Sequence, residues 1–216
     1  MIIVGLTGSI GMGKSTAAAM LRRMRVPLFD ADQVVHRLLA PGGAAVAAVE
    51  SAFPGVRTKP GGIDRGILGQ RVFGDPVTLS RLEHILHPMV ADREKQFLAR
   101  ARARRERLAV LDVPLLFESR GAGRCDYVVV VSAPAMLQRQ RVMRRPGMTE
   151  ARFAAILKQQ MPDAEKRRRA DFVVPTGLDR KMSLRRLRAI VRLLRGGNPQ
   201  DTGTGRRRVK RRRRAR

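Results

Sequence analysis

Residues 8–16 read Gly-Ser-Ile-Gly-Met-Gly-Lys-Ser-Thr, and the apolar run Ile-Ile-Val-Gly-Leu at residues 2–6 comes directly before them. This is the complete G-x-x-x-x-G-K-[ST] pattern in its expected context, because a short buried strand precedes it and helix-forming residues follow it. A chance glycine-rich turn has no need of this spacing between a strand and a helix. The segment therefore predicts a P-loop that binds a nucleoside triphosphate.

The residue types in the loop have separate chemical roles. Its glycines let the backbone curl so that successive N–H groups point at a phosphate chain. Lys14 places a positive charge near the β- and γ-phosphates, and the Ser15 hydroxyl can be a ligand of Mg²⁺. The start of the following helix adds the positive end of its dipole. We predict that the nucleotide is bound by Gly8, Gly11, Met12, Gly13, Lys14, Ser15 and Thr16.

Length and composition fit one well-packed domain with an inserted subdomain, since the chain has 216 residues of which 44% are hydrophobic. Its single cysteine, Cys125, excludes an intramolecular disulfide and suits a reducing compartment. No apolar stretch has the length of a membrane span, and the N-terminus lacks the features of a signal peptide. We therefore expect a cytoplasmic protein with no membrane partner.

The charge of the chain is strongly positive, with a formal net charge of +27. Residues 206–216 contain nine Lys or Arg and no acid, yet the excess extends through the whole sequence. A basic surface suits an enzyme whose substrates are anions, and it also permits weak electrostatic contact with nucleic acid through residues 206–216. A general compositional bias toward arginine is the other explanation.

Continuous apolar runs at residues 1–7, 26–29, 108–113, 127–131 and 172–174 predict five strands. Helical segments lie between them. Apolar strands that alternate with helices indicate a parallel sheet covered on both faces, and therefore an α/β fold.

Capping and breaking residues predict where the helices begin and end. Asp30, three residues before Gln33, has the spacing of a capping box. Pro88 is expected to interrupt one helix and to open the next one. Thr149 and Ser183 are expected to cap two later helices. A glycine pair at residues 196–197 is expected to stop the last helix, and residues 196–216 are expected to form a disordered basic tail.

Carboxylates after two predicted strands are candidates for the chemistry of phosphoryl transfer. Such a transfer needs a group that orients or deprotonates the acceptor, and Asp32 is our first candidate because it follows the second strand at the carboxyl edge of the sheet. Asp30 is its competitor, and either residue could simply cap a helix. Asp112 ends another strand, where a carboxylate can hold Mg²⁺ through water or can cap a turn before Pro114.

Positive side chains are candidates for contacts with phosphate groups. Arg141 and Arg145 are four residues apart on the predicted helix at residues 135–145, where they could belong to a lid over the triphosphate or to a solvated basic face. His87 could contact a substrate phosphate, or it could cap or pack at the helix junction. Arg65 could bind an anionic substrate.

From residue 1 to about residue 195, the sequence resembles the dephospho-CoA kinase family. The resemblance rests on the order and spacing of several motifs together. These are residues 5–8 (Gly-Leu-Thr-Gly), 30–32 (Asp-Ala-Asp), 63–65 (Ile-Asp-Arg), 82–88 (Leu-Glu-His-Ile-Leu-His-Pro), 112–118 (Asp-Val-Pro-Leu-Leu-Phe-Glu), 160–162 (Gln-Met-Pro) and 170–171 (Ala-Asp), with Gln138, Arg141, Arg145 and Lys166.

The resemblance implies transfer of the γ-phosphoryl group of ATP to the 3′-hydroxyl of the ribose of dephospho-CoA, with Mg²⁺. It implies a P-loop three-layer fold with a core at residues 1–32, 106–138 and 166–195. A helical substrate domain is implied at residues 33–105 and a lid at 139–165. It assigns the base role to Asp32, and it makes His87, Arg141 and Arg145 contacts to substrate or phosphate.

Some positions depart from the family pattern. Ser9 and Met12 stand where the family often has Gly and Ser, but only backbone N–H groups are needed there. Met12 then requires an ordinary backbone conformation. Pro146 follows Arg145 where a polar residue is common.

Two other functions are compatible with the P-loop alone. One is a kinase of another small metabolite or nucleotide, which has no reason to combine Asp32 with the motifs at residues 87–88 and 114–118. The other is a nucleic-acid-associated protein that binds a nucleoside triphosphate and uses the basic tail. The aromatic content of this chain, 4%, offers few side chains on which bases could stack, which disfavours recognition of single-stranded nucleic acid. The sequence does not indicate an oligomeric state.

Overall fold

The computed structural model describes residues 1–72, 74–119, 121–177 and 179–196. In chain order the elements are β1 (Ile2–Thr7), α1 (Lys14–Arg23), β2 (Leu28–Asp30), α2 (Ala31–Leu39), α3 (Val46–Ala52), α4 (Arg65–Val72), α5 (Pro76–Ala103), β3 (Leu108–Asp112), a 3₁₀ turn (Gly121–Arg124), β4 (Tyr127–Ser132), α6 (Ala135–Met143), α7 (Glu150–Gln159), α8 (Asp163–Arg169), β5 (Phe172–Pro175) and α9 (Arg180–Gly196).

The five strands form one sheet with the order β2-β3-β1-β4-β5. The β2–β3, β1–β4 and β4–β5 pairs are all parallel. Parallel neighbours need a crossover connection, and helices supply it here. Strands β3 and β4 are almost wholly buried, as their continuous apolar sequences predict. The predicted parallel α/β fold is therefore confirmed.

The chain divides into two compact units. The first unit contains Met1 and residues 27–113, and the second contains residues 2–26 and the chain from Pro114 onward. The finer division into a core, a substrate domain at residues 33–105 and a lid at 139–165 remains a prediction. The tail was predicted at residues 196–216, but Gly196 is the last residue of α9, so that boundary is wrong by one residue. Residues 197–216 lie outside the described residues. No helix among the described residues is long and apolar enough to cross a membrane.

In the first unit, α5 is one continuous helix of 28 residues that contains Pro88. The prediction that Pro88 opens a new helix is therefore wrong. Proline removes one backbone hydrogen bond from a helix, but the buried residues Leu82, Leu86 and Leu98 lie on both sides of it. Because α5 packs against α2, α3 and α4, tertiary contacts stabilise the helix despite the proline.

In the second unit, α9 begins at Arg180, three residues before the predicted cap Ser183. That capping prediction is wrong, because Ser183 lies inside the helix and is buried. Its hydroxyl donates to the backbone oxygen of Pro175 at 2.8 Å and so ties α9 to the end of β5. The prediction for Thr149 is confirmed, since its side chain accepts from the backbone N–H of Arg152 at 3.2 Å.

The second strand also differs slightly from its prediction. β2 comprises Leu28–Asp30, whereas the apolar run predicted residues 26–29. The strand is set by its parallel pairing with β3, which extends as far as Asp30 and Asp112.

Candidate active site

The P-loop lies between β1 and the N-terminus of α1. At Gly8 and Gly11 the neighbouring atoms leave no room for a side chain. A Cβ at Gly8 would lie 2.5 Å from Val131 Cγ2 and 2.7 Å from the Val131 backbone oxygen. Gly11 has a φ of +75°, in the left-handed region that favours glycine, and a Cβ there would meet Val142. Met12 was expected to have an ordinary backbone conformation. Among the described residues, the non-glycine residues with positive φ are Arg25 and Arg105, so Met12 meets this expectation.

Three successive backbone oxygens of the loop are bonded from outside the loop. Gln138 Nε2 donates to Ile10 O at 2.8 Å, Arg141 Nη1 to Gly11 O at 3.4 Å, and Thr176 Oγ1 to Met12 O at 2.7 Å. We call these three bonds the carbonyl clamp. In a trans peptide the C=O and the next N–H point in opposite directions. The clamp on Ile10 and Met12 therefore turns the N–H groups of Gly11 and Gly13 to the other side, where a phosphate chain can accept from them.

The peptide groups on both sides of Ile10 are held by two glutamine side chains. Gln138, a buried residue of α6, donates to its backbone oxygen, and Gln160 Oε1, just after α7, accepts from its N–H at 3.0 Å. The position of this part of the loop therefore depends on two helices that follow it by more than 120 residues in the sequence.

A buried ion pair supports the segment that carries Gln160. The backbone N–H of Met161 donates to Glu118 Oε1 at 2.8 Å, and Lys166 Nζ lies 2.9 Å from the same oxygen. The Lys166 side chain is fully buried and that of Glu118 is 18% exposed. Burial raises the pKa of Glu118, but the contact with the Lys166 ammonium group and the hydrogen bond from Met161 outweigh burial and hold the pKa below its ordinary value. Glu118 is therefore held as a carboxylate beside the buried ammonium group.

Arg141 and Arg145 have different surroundings. Arg141 is half-buried, and its Nη2 also donates to the backbone oxygen of Thr176 at 2.7 Å. Helix α6 ends at Met143, so Arg145 lies beyond it and is exposed. The prediction that both arginines share a helix face is wrong. Pro146 gives the physical reason, because a residue that precedes proline is disfavoured in the helical conformation.

Two carboxylates end neighbouring strands of the first unit. Asp30 and Asp112 are register partners at the ends of β2 and β3, and Asp112 is 3% exposed. Asp30 Oδ1 accepts from the backbone N–H of Gln33 at 3.0 Å, which confirms Asp30 as the cap of α2. Asp32 lies in the first turn of α2 and is exposed.

The other predicted substrate contacts lie on helices of the first unit. Arg65 is the first residue of α4, is exposed, and contacts Nδ1 of His36. His87 is an exposed residue in the middle of α5, so its predicted position at a helix junction is wrong.

The described residues contain no cluster of three or more His, Cys, Asp or Glu that could hold a metal ion by themselves. Magnesium in kinases needs no such cluster, because one or two carboxylates with substrate phosphates and water complete its coordination. Asp112, at the end of β3, is a carboxylate of this kind. Ser15, in the first turn of α1 in the second unit, has an exposed side chain.

The sequence did not reveal these contacts. Gln138, Gln160 and Lys166 belong to the ordered motifs, but their partners are backbone atoms or a carboxylate far along the chain. Thr176 belonged to no motif. A lysine and two glutamines near short apolar segments were the available signals, and they do not identify the atoms that these side chains bind.

Comparisons with known proteins agree with the resemblance. The model of the dephospho-CoA kinase family matches residues 2–178. A dephospho-CoA kinase of Paramagnetospirillum magneticum is 61% identical over 92% of this chain and 93% of its own length, and that of Rhodospirillum rubrum is 58% identical over 91% and 93%. Among solved structures, a protein of Thermus thermophilus aligns with a TM-score of 0.76 and 36% identity over 88% of this chain and 96% of its own. A dephospho-CoA kinase from Campylobacter jejuni, at 23% identity, has the same fold with a TM-score of 0.62 over 90% and 98%.

Proposed function

The chain belongs to the dephospho-CoA kinase family, and on that premise we propose that its P-loop binds the phosphates of ATP while Asp32 acts on the acceptor hydroxyl. The chain is a kinase that phosphorylates dephospho-CoA with ATP to give CoA and ADP. Neither another metabolite kinase nor a nucleic-acid-associated protein is favoured by its relatives. The observation that supports the role of the loop is the carbonyl clamp, since it leaves the N–H groups of Gly11 and Gly13 on the side away from the clamping groups, where a phosphate chain can accept from them.

On the donor side, the N–H groups of Gly11 and Gly13 bind the phosphate chain, and Lys14 places its charge beside the β- and γ-phosphates. The N–H groups of Ile10 and Met12 instead donate to Gln160 Oε1 and to the backbone oxygen of Ser9. Thr16, in the first turn of α1, extends the contact. The guanidinium group of Arg141 is already fixed by two backbone oxygens, which supports a role in holding the loop and adding positive charge beside it. Arg145 is exposed beyond α6, where its side chain is accessible to a bound nucleotide.

Magnesium fits the residues present. We propose that Ser15 and Asp112 hold it, Asp112 through water. When bound, the ion supplies positive charge that neutralises the β- and γ-phosphates during transfer.

On the acceptor side, the Asp32 carboxylate accepts a hydrogen bond from the 3′-hydroxyl of the ribose. The hydroxyl oxygen attacks the γ-phosphorus, the bond to the leaving ADP oxygen breaks, and the hydroxyl proton passes to Asp32. Exposure of Asp32 in the first turn of α2, and use of the neighbouring Asp30 as the cap, support this assignment. Arg65 and His87, both exposed, are proposed to bind phosphate groups of dephospho-CoA.

Three predictions accompany this proposal. We propose that residues 33–105 form the substrate domain and residues 139–165 the lid. Location in the cytoplasm, which rests on the single cysteine, stays a prediction. So does weak contact with nucleic acid through residues 206–216.

A comparison of acceptors tests the function. ADP release is measured with ATP, Mg²⁺ and, in separate reactions, dephospho-CoA, adenosine, AMP and shikimate. We expect release with dephospho-CoA and background rates with the other three. Release with AMP and none with dephospho-CoA would contradict the assignment.

A further inference from the structure

A groove between α1 and α9 forms a cavity of about 430 Å³ in the second unit. We call it the α1–α9 groove. Its volume lies within the range of small-molecule sites. The residues that line it are Thr16, Ala19, Met20, Arg23, Met24, Arg180, Lys181, Leu184 and Arg188.

Helical periodicity places these residues along two facing stripes. On α1 the lining positions recur every three or four residues from Thr16 to Met24, and on α9 they recur from Arg180 to Arg188. Alanine, methionine and leucine form the apolar part, and four cationic side chains surround it. The sequence therefore combines an apolar surface with a basic rim.

The positive charge of the rim is not neutralised by acidic residues among those that line the groove. None of these nine described residues is acidic. The nearest acid along α9 is Asp179, just before the helix, and its carboxylate accepts from the backbone N–H of Lys181 at 3.1 Å. Arg23, Arg180, Lys181 and Arg188 are all exposed, so an incoming anion can reach them.

Two of the cations stand where a helix disfavours them. Arg180 and Lys181 are the first two residues of α9, where the dipole of the helix is positive, and no acid occupies its first turn. The Asp179 carboxylate just before the helix offsets part of this charge, and the remaining positive charges repel the dipole and each other. A local conflict of this kind is expected where a residue serves a ligand, and a bound anion would relieve it.

We propose that the α1–α9 groove is a second binding site, separate from the P-loop, for a small phosphorylated molecule that carries an apolar or aromatic part. The phosphate contacts the cationic rim and the apolar part lies on Met20, Met24 and Leu184. The groove shares one residue, Thr16, with the nucleotide-binding segment. The limited volume of the groove and its apolar floor favour a small amphipathic anion over an extended polymer, which would use the exposed charges alone.

The test uses 1-naphthyl phosphate as the probe and the full chain with its P-loop saturated by Mg²⁺ and a non-hydrolysable ATP analogue. Binding is followed by isothermal titration. We expect saturable binding with a Kd of about 1 mM or lower, and a Kd about tenfold higher in Arg188→Glu. The matched control is Arg185→Glu, which makes the same charge change at an exposed position of α9 outside the groove. It is expected to leave the Kd within about twofold.

Each other outcome overturns the proposal. Loss of probe binding when the ATP analogue is added would place the probe at the P-loop. Equal weakening in both arginine variants would show diffuse attraction to a basic helix. Equal binding of neutral 1-naphthol would show that the cations contribute nothing. Thermal unfolding and dephospho-CoA kinase activity of each variant are measured alongside, and a second variant, Arg23→Glu, repeats the test from α1 if Arg188→Glu fails to fold.

Discussion

The P-loop and the proposed acceptor residues differ in how the protein holds them. The loop is fixed by hydrogen bonds to backbone atoms of Ile10, Gly11 and Met12 from side chains on later elements. In contrast, Asp32 and His87 are exposed side chains on helix surfaces. The difference suggests that donor binding depends on a preorganised backbone, whereas acceptor chemistry depends on individual side chains that the substrate itself engages.

The largest expected effect is a loss of turnover on the acceptor side that leaves ATP binding at the P-loop unchanged. Asp32→Asn keeps the size of the side chain but removes the carboxylate that accepts the hydroxyl proton, so we expect kcat to fall by about 10²–10⁴-fold. The KM for ATP should stay within about twofold, since the loop is untouched. Steady-state kinetics with varied ATP measure both constants.

Asp30→Asn is the matched control for this variant. Asparagine caps a helix as well as aspartate does, so its activity and Tm should remain close to those of the wild type. Loss of activity in Asp30→Asn with normal activity in Asp32→Asn would exchange the roles of the two residues.

The next largest effect is expected on stability, from the ion pair between Glu118 and Lys166. Glu118→Gln leaves the fully buried Lys166 without its countercharge, which should lower the free energy of unfolding by about 3 kcal/mol and the Tm by roughly 6–12 °C at neutral pH. Thermal unfolding measures this change. Glu83→Gln, at an exposed position of α5, makes the same substitution without a buried partner and should not shift the Tm.

The same variant gives a prediction for pH. The pKa of Glu118 is lowered in the folded state, so its contribution to stability is present above the ordinary glutamate pKa and is lost as the pH falls through the folded-state pKa. The Tm difference between wild type and Glu118→Gln should therefore shrink on acidification. A difference that stays constant from neutral pH to well below the ordinary glutamate pKa would contradict the ion pair as its source.

A smaller effect is expected from the two glutamine side chains that hold the peptide groups on both sides of Ile10. Gln160→Ala removes the acceptor for the Ile10 N–H, and one hydrogen bond of about 1 kcal/mol corresponds to a rise of about fivefold in the KM for ATP. Its neighbour Gln159 is exposed, and Gln159→Ala should leave the KM unchanged. On α6, Gln138→Ala and the exposed Gln140→Ala form a second matched pair. Equal KM values within each pair would show that these bonds do not position the loop.

The smallest expected effect concerns the basic C-terminus. Removal of residues 198–216 should leave kcat and both KM values unchanged, because the family match ends at residue 178. A large rise in the KM for dephospho-CoA would show that this segment reaches the substrate.

Local sequence signals predicted the elements well where a single interaction, either burial of an apolar strand or capping of a helix, determines the structure. The apolar runs identified the parallel strands, and the capping residues Asp30 and Thr149 were identified from short-range chemistry. Pro88 and Ser183 misled the prediction because tertiary packing overrode a local preference for a break or a cap. The clamp could not be predicted, since hydrogen bonds from Gln138, Arg141 and Thr176 to the loop join atoms that only the fold brings together.

The most direct test of the account compares Asp32→Asn and Gln160→Ala in one experiment. For each variant, the Kd of ATP is measured with Mg²⁺, and the single-turnover rate of phosphoryl transfer to dephospho-CoA is measured at saturating ATP. The account predicts that Gln160→Ala weakens ATP binding but transfers at nearly the wild-type rate once saturated. It predicts that Asp32→Asn binds ATP normally and transfers at least about a hundredfold more slowly. Loss of both binding and transfer in both variants, or normal transfer in Asp32→Asn, would contradict it.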